Sequence, residues 1–435
     1  MNSNTLSKYL HDEESPFDFN REISRSSYFW TFWLIAISNI NMFLGNVILF
    51  VTFVIAAITF ITKNKKIQSQ FETFVILIIL VLIGQSLWYM NFAIGSMMSL
   101  ITRIFTAFFI ISIIGKDFFK AFIDVIYFLA VISIIMWVLI VLFPPFYRFL
   151  ILNVAPLFDF YLYEIKYARP APHMILFTFN HGVFINDSGI ARLFIRNSGP
   201  FTEPSVFAPY LVIAFTLNYL REKKAFNKRN LVFMFAMFTS YSTGGFVVLG
   251  MLGGAAVLLE RGAKKILLLP ISVLIFLYAF FNIEAFGEEI GQKVTDLNSS
   301  DIRYAKRTRL VNAILDINDL FNHPFFGKGF YKDETELANR SLGDYLTRRT
   351  NGTTKFLNRY GFIGFFIFFY SIYKSYRIWG IWTNAPPVFA LVGVFGLMLV
   401  GFGNSIFEKP FFFGLGFAGI ILTEHLRVAI REHKE

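Results

Sequence analysis

The chain has 435 residues, of which 55% are hydrophobic, 19% aromatic and 16% charged, and its formal net charge is +11. Soluble proteins carry about 25% charged residues, so this composition excludes an ordinary soluble domain and indicates a polytopic membrane protein. The absence of cysteine excludes a disulfide framework, a thiolate metal site and a cysteine nucleophile.

One membrane pass needs roughly 20 apolar residues, and we use this length to assign passes to the apolar runs of the first half. Residues 28–62 are too long for one pass and have basic flanks on both sides, which predicts two helices that turn near Asn39. Three further runs lie at 72–90, 93–114 and 122–144. Arg103 lies inside the fourth run, where a charge costs about 2.5 to 3.5 kcal/mol. We therefore expect it to face a partner or a wet cavity, and an ion pair within the bundle explains it equally well.

The second half continues this alternation. A sixth pass begins at Pro204 and ends at a strongly basic loop. The run at 230–259 has basic flanks on both sides, which predicts two short helices, with one long kinked helix as the alternative. The tip of that hairpin, near Ser240, must pack in protein or water, because unsatisfied backbone cannot face lipid. The remaining runs lie at 266–283, 360–376, 386–404 and 410–425.

These runs predict an all-α polytopic membrane protein, with about twelve transmembrane helices in a single integral membrane domain over residues 1–435. Both termini are expected in the cytoplasm, because basic residues concentrate in alternate loops as the positive-inside rule requires. Two large loops, 145–203 and 285–355, are then predicted on the extracytoplasmic face. The same rule accounts for the net charge, so nucleic acid is not expected as a partner.

The loop 285–355 is the longest polar interval. We expect a helix there that starts at caps near Asp301 and stops at Asn322-His323-Pro324. A glycine-punctuated turn follows. The loop also holds two basic clusters, which include Arg303, Arg307, Arg309, Arg348, Arg349 and Lys355. Clustered arginines beside a membrane indicate an anionic ligand at the lipid-water boundary, while lipid headgroups or local acids are the plainer alternative.

Signatures of nucleotide- and metal-dependent enzymes are missing from the sequence: it has no GxxxxGK, no HExxH, and no GxSxG in a strand-turn-helix context. The six histidines lack metal-ligand spacing, and the acids of the outer loops do not cluster as hard cations need. We therefore expect neither a metal nor a cofactor. Arginine, carboxylate and histidine together suit transfer from a lipid pyrophosphate donor, with arginine neutralising the leaving group and a carboxylate or histidine accepting a proton.

Arg309, with its bidentate guanidinium, is predicted to bind the donor pyrophosphate. The further residues predicted to bind substrate are Arg192, Arg196, Arg303, Arg307, Arg348, Arg349 and Asn351. Glu203 is the first candidate for the base and His323 the second, with His181 less favoured. Their plainer roles are a helix cap for Glu203, next to Pro204, and a capping or packing histidine for His323.

Four short segments resemble one family. Arg309-Leu310 with Asn322-His323-Pro324-Phe325-Phe326-Gly327-Lys328-Gly329 resembles the "R … hP-x-x-G-x-G" segment of bacterial O-antigen and capsular polysaccharide polymerases (Wzy type) and of the related O-antigen ligases. The stretch from Arg196 to Pro204 resembles their "R-x-x-G-x-F-x-E/N-P" entry to a transmembrane helix, and Ser240 to Gly245 resembles their hairpin tip. Asn351 with Gly361 and Gly364 resembles the ligases' "H-N … G-x-x-G", but Thr350 stands where the ligases have histidine, which favours a polymerase.

The resemblance implies a GT-C-like membrane glycosyltransferase that joins repeat units carried on undecaprenyl pyrophosphate, at the outer face of the bacterial cytoplasmic membrane. The reaction would be inverting and metal-independent. Implied partners are the lipid-linked donor and acceptor, membrane lipids and a chain-length regulator protein. An O-antigen ligase, a lipid-linked oligosaccharide flippase and a structural assembly partner are the alternatives.

Overall fold

The computed structural model describes residues 22–40, 43–90, 92–154, 184–185, 191–192, 196–259, 309–330 and 351–432. The regular secondary structure of these residues is helical apart from one antiparallel pair of two-residue strands, β1 (Phe184–Ile185) and β2 (Ala191–Arg192), in which Phe184 pairs with Arg192. The predicted all-α class is thus confirmed for the described chain, except for this strand pair in the first long loop.

The helices follow the predicted apolar runs. In chain order they are α1 (Arg25–Asn39), α2 (Asn46–Thr62), α3 (Ser69–Trp88), α4 (Ile94–Ile114), α5 (Phe118–Leu142), α6 (Pro144–Phe149), α7 (Pro204–Glu222), α8 (Lys228–Thr239), α9 (Thr243–Leu259), α10 (Arg309–Asn322), α11 (Gly352–Trp382), α12 (Pro387–Gly401) and α13 (Pro410–Glu432). The run at 266–283 lies outside the described residues. Helix α11 begins inside the interval 285–355 that was predicted as the second loop.

Two segments of the described chain are long and apolar enough to span a membrane. They are Ser69–Trp88 and Ile94–Leu142. The second contains α4 and α5, separated by a 3₁₀ turn at Gly115–Asp117. Large apolar side chains also face outward, such as Val47 and Ile61 on α2, which are 76% and 69% exposed. Helices with apolar residues on their outer faces are typical of proteins that contact lipid.

The chain forms two compact units. The first comprises Met1–Val51, Lys116–Ala256 and Gly380–Val400. Its central element is α7, which is buried along almost its whole length. Asn39, at the end of α1, donates a 2.7 Å hydrogen bond to the buried Tyr210 hydroxyl of α7. A polar side chain at the predicted turn thus anchors α1 to the central helix.

Residues 230–259 form the predicted hairpin of two short helices, and the alternative of one long kinked helix is wrong. Asn218 of α7 donates a 2.9 Å hydrogen bond to Asn230, in the first turn of α8. Its neighbour Tyr219 donates a 3.2 Å hydrogen bond to the Ala256 carbonyl, near the end of α9. Because Asn218 and Tyr219 are adjacent, the hairpin both enters and leaves at the same end of α7.

The second unit comprises Thr52–Gly115, Val257–Trp379 and Gly401–Glu435. Helix α13 packs along α4 in this unit, and α11 approaches α13 through small residues. The Ser375 hydroxyl donates to the Gly416 carbonyl and accepts from the Gly419 N–H, each at 2.9 Å. Small residues and a shared hydroxyl are a common means of close helix packing in membranes.

Helix α11 is broken at Gly361, where φ is 62° and ψ is −174°. In an unbroken helix the N–H groups of Phe362 and Ile363 would donate to the carbonyls of Asn358 and Arg359, four residues earlier. The break separates these donors from these acceptors. Buried main-chain groups need other partners, so the break requires another segment of chain.

That segment is the turn at residues 324–329, which we call the glycine turn. Phe362 N–H donates to the Pro324 carbonyl at 2.8 Å, and Ile363 N–H donates to the Phe325 carbonyl at 3.2 Å. In return, the N–H groups of Lys328 and Gly329 donate to the carbonyls of Asn358 and Arg359, each at 2.9 Å. Four hydrogen bonds to the glycine turn therefore replace the two that the helix loses.

Steric restriction explains why this turn contains glycine at positions 327 and 329. A Cβ on Gly327 would lie 2.5 Å from the Asn358 carbonyl oxygen, and one on Gly329 would lie 2.6 Å from Oε1 of Gln85. Gln85, on α3, fixes the turn from its other side, since its amide donates to the Phe326 carbonyl and, at 2.9 Å, to the Arg359 carbonyl. The turn is therefore held between α3 and α11.

We predict that Gly361→Ala destabilises the protein. A residue other than glycine in this conformation costs on the order of 1 to 3 kcal/mol, and the added methyl group would also overlap the Phe325 carbonyl. The thermal unfolding midpoint of the purified protein should fall by several degrees. Gly84→Ala is the matched control, because a Cβ there meets nothing within 4 Å and alanine favours the helix. Equal midpoints for the two variants would contradict the structural importance of the hydrogen bonds between the glycine turn and α11, which we call the interlock.

Candidate functional site

Four cations and one carboxylate meet in the second unit, on the segments next to the glycine turn. They are Arg103, Lys355, Arg359, Glu408 and Lys409, and we call them the basic cluster. Arg103 belongs to α4, Lys355 and Arg359 to the first turns of α11, and Glu408 and Lys409 to the connection before α13. All five are partly exposed, so a ligand has access to them.

The Arg359–Glu408 ion pair lies at the centre of the cluster. Nη1 of Arg359 lies 2.5 and 2.6 Å from the two carboxylate oxygens, and the Tyr360 hydroxyl donates to the same carboxylate at 3.2 Å. The guanidinium also lies over the Phe330 ring, 4.9 Å from its centroid, which is a favourable cation–π geometry. The residue that follows the glycine turn thus orients the arginine.

The charges of the cluster shift the pKa values of its members. Burial opposes ionisation of Glu408, but the surrounding cations, Arg359 first, hold its pKa below the usual value. Burial lowers the pKa of Lys409 to about 8, and Arg103 adds to that shift. Glu408 is therefore a weak base at neutral pH, whereas Lys409 is a cation under repulsion from its neighbours.

Arg103 has the partner that its position in an apolar run predicts. Nη1 of Arg103 points to the main-chain carbonyl of Glu408 at 3.5 Å, beside the Arg359–Glu408 pair. The expectation that it faces a partner is confirmed. The contact is with a carbonyl, so Arg103 does not form a direct ion pair with Glu408. The Glu408 carboxylate still attracts Arg103 electrostatically over a longer distance.

His323 lies between α10 and the glycine turn. Its imidazole packs edge-on against Tyr89 of α3, with ring centroids 4.9 Å apart. Burial lowers its pKa below the usual 6.5; Asp319 opposes that shift and Lys328 adds to it. The imidazole is therefore neutral at pH 7 and available as a proton acceptor, although it also packs against an aromatic ring as the plainer reading requires.

The surroundings of His323 combine apolar rings with a small pocket. Phe321, Phe325 and Phe326 next to it are 74%, 64% and 49% exposed. The pocket is lined by Leu82, Gln85, Ser86, Tyr89, Ala93, Met97, Lys328 and Phe330. Exposed aromatic rings beside polar groups suit a site at the boundary between lipid and water.

Asn351 is the N-cap of α11 and is fully buried. Its side-chain oxygen accepts from the Thr354 N–H at 3.2 Å. The Thr354 hydroxyl in turn donates to the buried Asp316 of α10 at 2.8 Å. This chain of contacts joins α10, which starts at Arg309, to the start of α11. Asn351 therefore has a structural role at the start of α11, and its predicted contact with substrate stays a prediction.

Arg196 has a structural role, and its predicted contact with substrate stays a prediction. Its guanidinium donates to the carbonyls of Ser240 and Tyr241, at 3.3 and 2.8 Å. These carbonyls lie at the end of α8, where helical acceptors lack partners. The tip of the hairpin is packed in protein, as predicted, and Arg196 is the residue that satisfies it.

Glu203 precedes the first residue of α7, Pro204, as the sequence predicts for a helix start. Its carboxylate accepts no main-chain N–H of that helix and accepts instead from the Ser205 hydroxyl at 3.0 Å. Glu203 belongs to the first unit, while His323, Asn351 and the basic cluster belong to the second.

The remaining predicted residues fall partly or wholly outside the described chain. Backbone positions alone are described for Arg192, in β2, and for Arg309, the first residue of α10. The cap residues near Asp301, His181, Arg303, Arg307, Arg348 and Arg349 lie outside the described residues.

The basic cluster as a unit was missed by the sequence reasoning. Arg103 and Lys409 both carried a signal, since one is a charge in an apolar run and the other a cation in a short turn that the positive-inside rule predicts on the outer face. The proximity of Arg103 to the Glu408-Lys409 turn could not be predicted from the sequence, because Arg103 and Glu408 are 305 positions apart.

Among the described residues, no group of three or more His, Cys, Asp or Glu side chains is placed to hold a metal ion. No protein-family model, curated protein or solved structure matches the chain.

We predict that Arg196→Gln lowers the stability of the protein, because two main-chain carbonyls lose a charged donor. Hydrogen bonds to charged groups contribute about 1.5 to 3 kcal/mol each, so the thermal midpoint should fall clearly. Arg221→Gln is the matched control, since its 2.6 Å ion pair joins it to a part-exposed neighbour, Glu222, and such pairs contribute about 0 to 1 kcal/mol. Loss of activity at unchanged stability would instead support the substrate-binding role.

Proposed function

We propose that the chain is a polysaccharide polymerase of the bacterial cytoplasmic membrane. It would join oligosaccharide repeat units carried on undecaprenyl pyrophosphate, at the outer face of the membrane. The bond between the donor's anomeric carbon and its pyrophosphate oxygen breaks, and the acceptor hydroxyl forms the new glycosidic bond. The hydroxyl proton passes to a base of the protein, and the lipid pyrophosphate leaves.

One observation supports this proposal most: a neutral imidazole and an excess of positive charge are attached to the same glycine turn. His323 precedes the turn directly, and Gly329 of the turn donates a hydrogen bond to the carbonyl of Arg359, in the basic cluster. Glycosyl transfer from a pyrophosphate donor needs a proton acceptor and cations for the leaving group. The segments involved include those that carry the resemblance to Wzy-type polymerases.

The observed contacts change the order of the candidate bases. His323 is partly exposed and neutral at pH 7, whereas Glu203 accepts a hydrogen bond from Ser205 at the start of α7. We therefore place His323 first and Glu203 second. Arg309 keeps its proposed role as a donor-binding residue, with Arg192, Arg303, Arg307, Arg348 and Arg349 as further candidates.

The reaction can be tested with purified protein in liposomes that contain a lipid-linked repeat unit. We expect lengthened glycan chains, and a fall of about 10² to 10⁴ in rate for His323→Gln. Activity requires the neutral imidazole, so it is lost as pH falls through the His323 pKa, which burial places below 6.5. The variant should lack this acid limb.

Other outcomes of this assay identify other functions. Transfer of glycan to a different acceptor, without chain lengthening, would indicate a ligase. A donor that crosses the bilayer unchanged would indicate a flippase. Full activity of His323→Gln together with an inactive Glu203→Gln would return the base to Glu203.

The proposed orientation is tested by single cysteines, which are informative because the chain has none. Met90 follows α3 and is 82% exposed, and Lys65 precedes the same helix and is also exposed. Met90→Cys should react with a membrane-impermeant thiol reagent added to spheroplasts, whereas Lys65→Cys should react only after lysis. The reverse pattern would place the glycine turn's end of α3 in the cytoplasm and exclude an outer-face polymerase.

A further inference from the structure

Within the part of the chain that the structure describes, two cations of the basic cluster, Arg103 and Lys409, lack a carboxylate of their own. The carboxylate that acts on Lys409 is Glu408, but Arg359 already binds both of its oxygens. Arg103 reaches only the Glu408 carbonyl at 3.5 Å, which is at the outer limit of a hydrogen bond. A positive charge that is partly removed from water without an anion is unfavourable.

The cluster is built so that the cations stay together. Arg359 is fixed by Glu408, by the Phe330 ring and by its place at the break in α11. Lys409 precedes Pro410, the first residue of α13. Arg103 projects from the middle of α4, which carries no other charged residue. The three cations thus come from separate segments that the fold brings together, and they lie close enough to act on one another or on Glu408.

We propose that Arg103, Arg359 and Lys409 bind a pyrophosphate group, with Lys355 adding to the field and Glu408 holding Arg359 in position. A pyrophosphate diester carries two negative charges, which the three cations beyond the Arg359–Glu408 pair, Arg103, Lys355 and Lys409, can balance. A guanidinium and an ammonium offer several donors for the phosphate oxygens. That the pyrophosphate is lipid-linked rests on the proposed function; the anion site itself does not.

The lowered pKa of Lys409 agrees with this site. Cations that repel one another lower each other's pKa, and a bound anion reverses the effect. Binding and protonation are thermodynamically linked, so pyrophosphate should raise the pKa of Lys409 above its value of about 8.

Calorimetric titration of the purified full-length chain with inorganic pyrophosphate at low salt tests the site. We expect the wild type to bind, and Arg103→Gln and Lys409→Gln each to weaken binding by about tenfold or more. Lys374→Gln is the matched control, since Lys374 lies on α11 and contacts Gln70 at the start of α3, away from the cluster. Equal binding by the wild type and both cluster variants would overturn the proposal, as would an equal loss in Lys374→Gln.

Arg359 needs a different variant, because removing it alone leaves Glu408 buried without its cation. The double variant Arg359→Gln with Glu408→Gln keeps a hydrogen-bonded neutral pair. It should unfold near the wild-type midpoint and still lose pyrophosphate binding by about tenfold or more. Unchanged binding in this folded variant would remove Arg359 from the site.

The source of the pyrophosphate is tested with farnesyl pyrophosphate in the same titration. Tighter binding than for inorganic pyrophosphate indicates a lipid-linked ligand, and weaker binding indicates a free anion. The polymerase assay separates the two proposals. Binding without chain lengthening would sink the proposed function and keep the site. Normal chain lengthening by the Arg103→Gln, Lys409→Gln double variant would keep the function and overturn the proposal that this site holds the lipid-linked donor.

Discussion

The exchange of hydrogen bonds between the glycine turn and the broken helix α11 is the constraint on which the second unit depends. A helix that ends in the interior leaves carbonyl and N–H groups without partners, and here both sets are satisfied by one six-residue turn. Because main-chain atoms are the partners, the arrangement needs close approach more than particular side chains. This explains glycine at 327 and 361, where a Cβ would overlap the facing main chain, while a Cβ at Gly329 would overlap the Gln85 side chain.

The interlock also determines where charge can be placed. Arg359 lies two residues before the break, and its carbonyl takes part in the exchange. Its guanidinium is therefore fixed relative to Glu408 and Phe330 rather than free to sample solvent. A long basic side chain ordinarily gives up conformational entropy when it binds a ligand, and an arginine that is already held in place gives up less. Such preorganisation favours strong interaction with an anion.

The apolar runs predicted the helices well, because the length and hydropathy of a membrane pass are local properties of the chain. The hairpin at 230–259 followed from the basic residues at both of its ends. The start of α7 at Pro204 was also predicted correctly, because the preference for proline in the first turn of a helix is a local property too. The basic cluster could not be predicted, since Arg103, Arg359 and Glu408 come together only through tertiary packing. The structural role of Arg196 was missed because a guanidinium that caps carbonyls has the same sequence signature as one that binds phosphate.

The twenty residues 331–350 leave and re-enter the described structure at neighbouring points. Phe330 contacts Arg359, and Asn351 begins the same helix about 12 Å away, by the helical rise of about 1.5 Å per residue. The ends of this segment are thus closed by the interlock, whatever its content. Doubling the length of a closed loop adds only about 0.6 kcal/mol of entropic cost. The exchange of hydrogen bonds therefore fixes the span that residues 331–350 have to connect, independently of how many residues connect it.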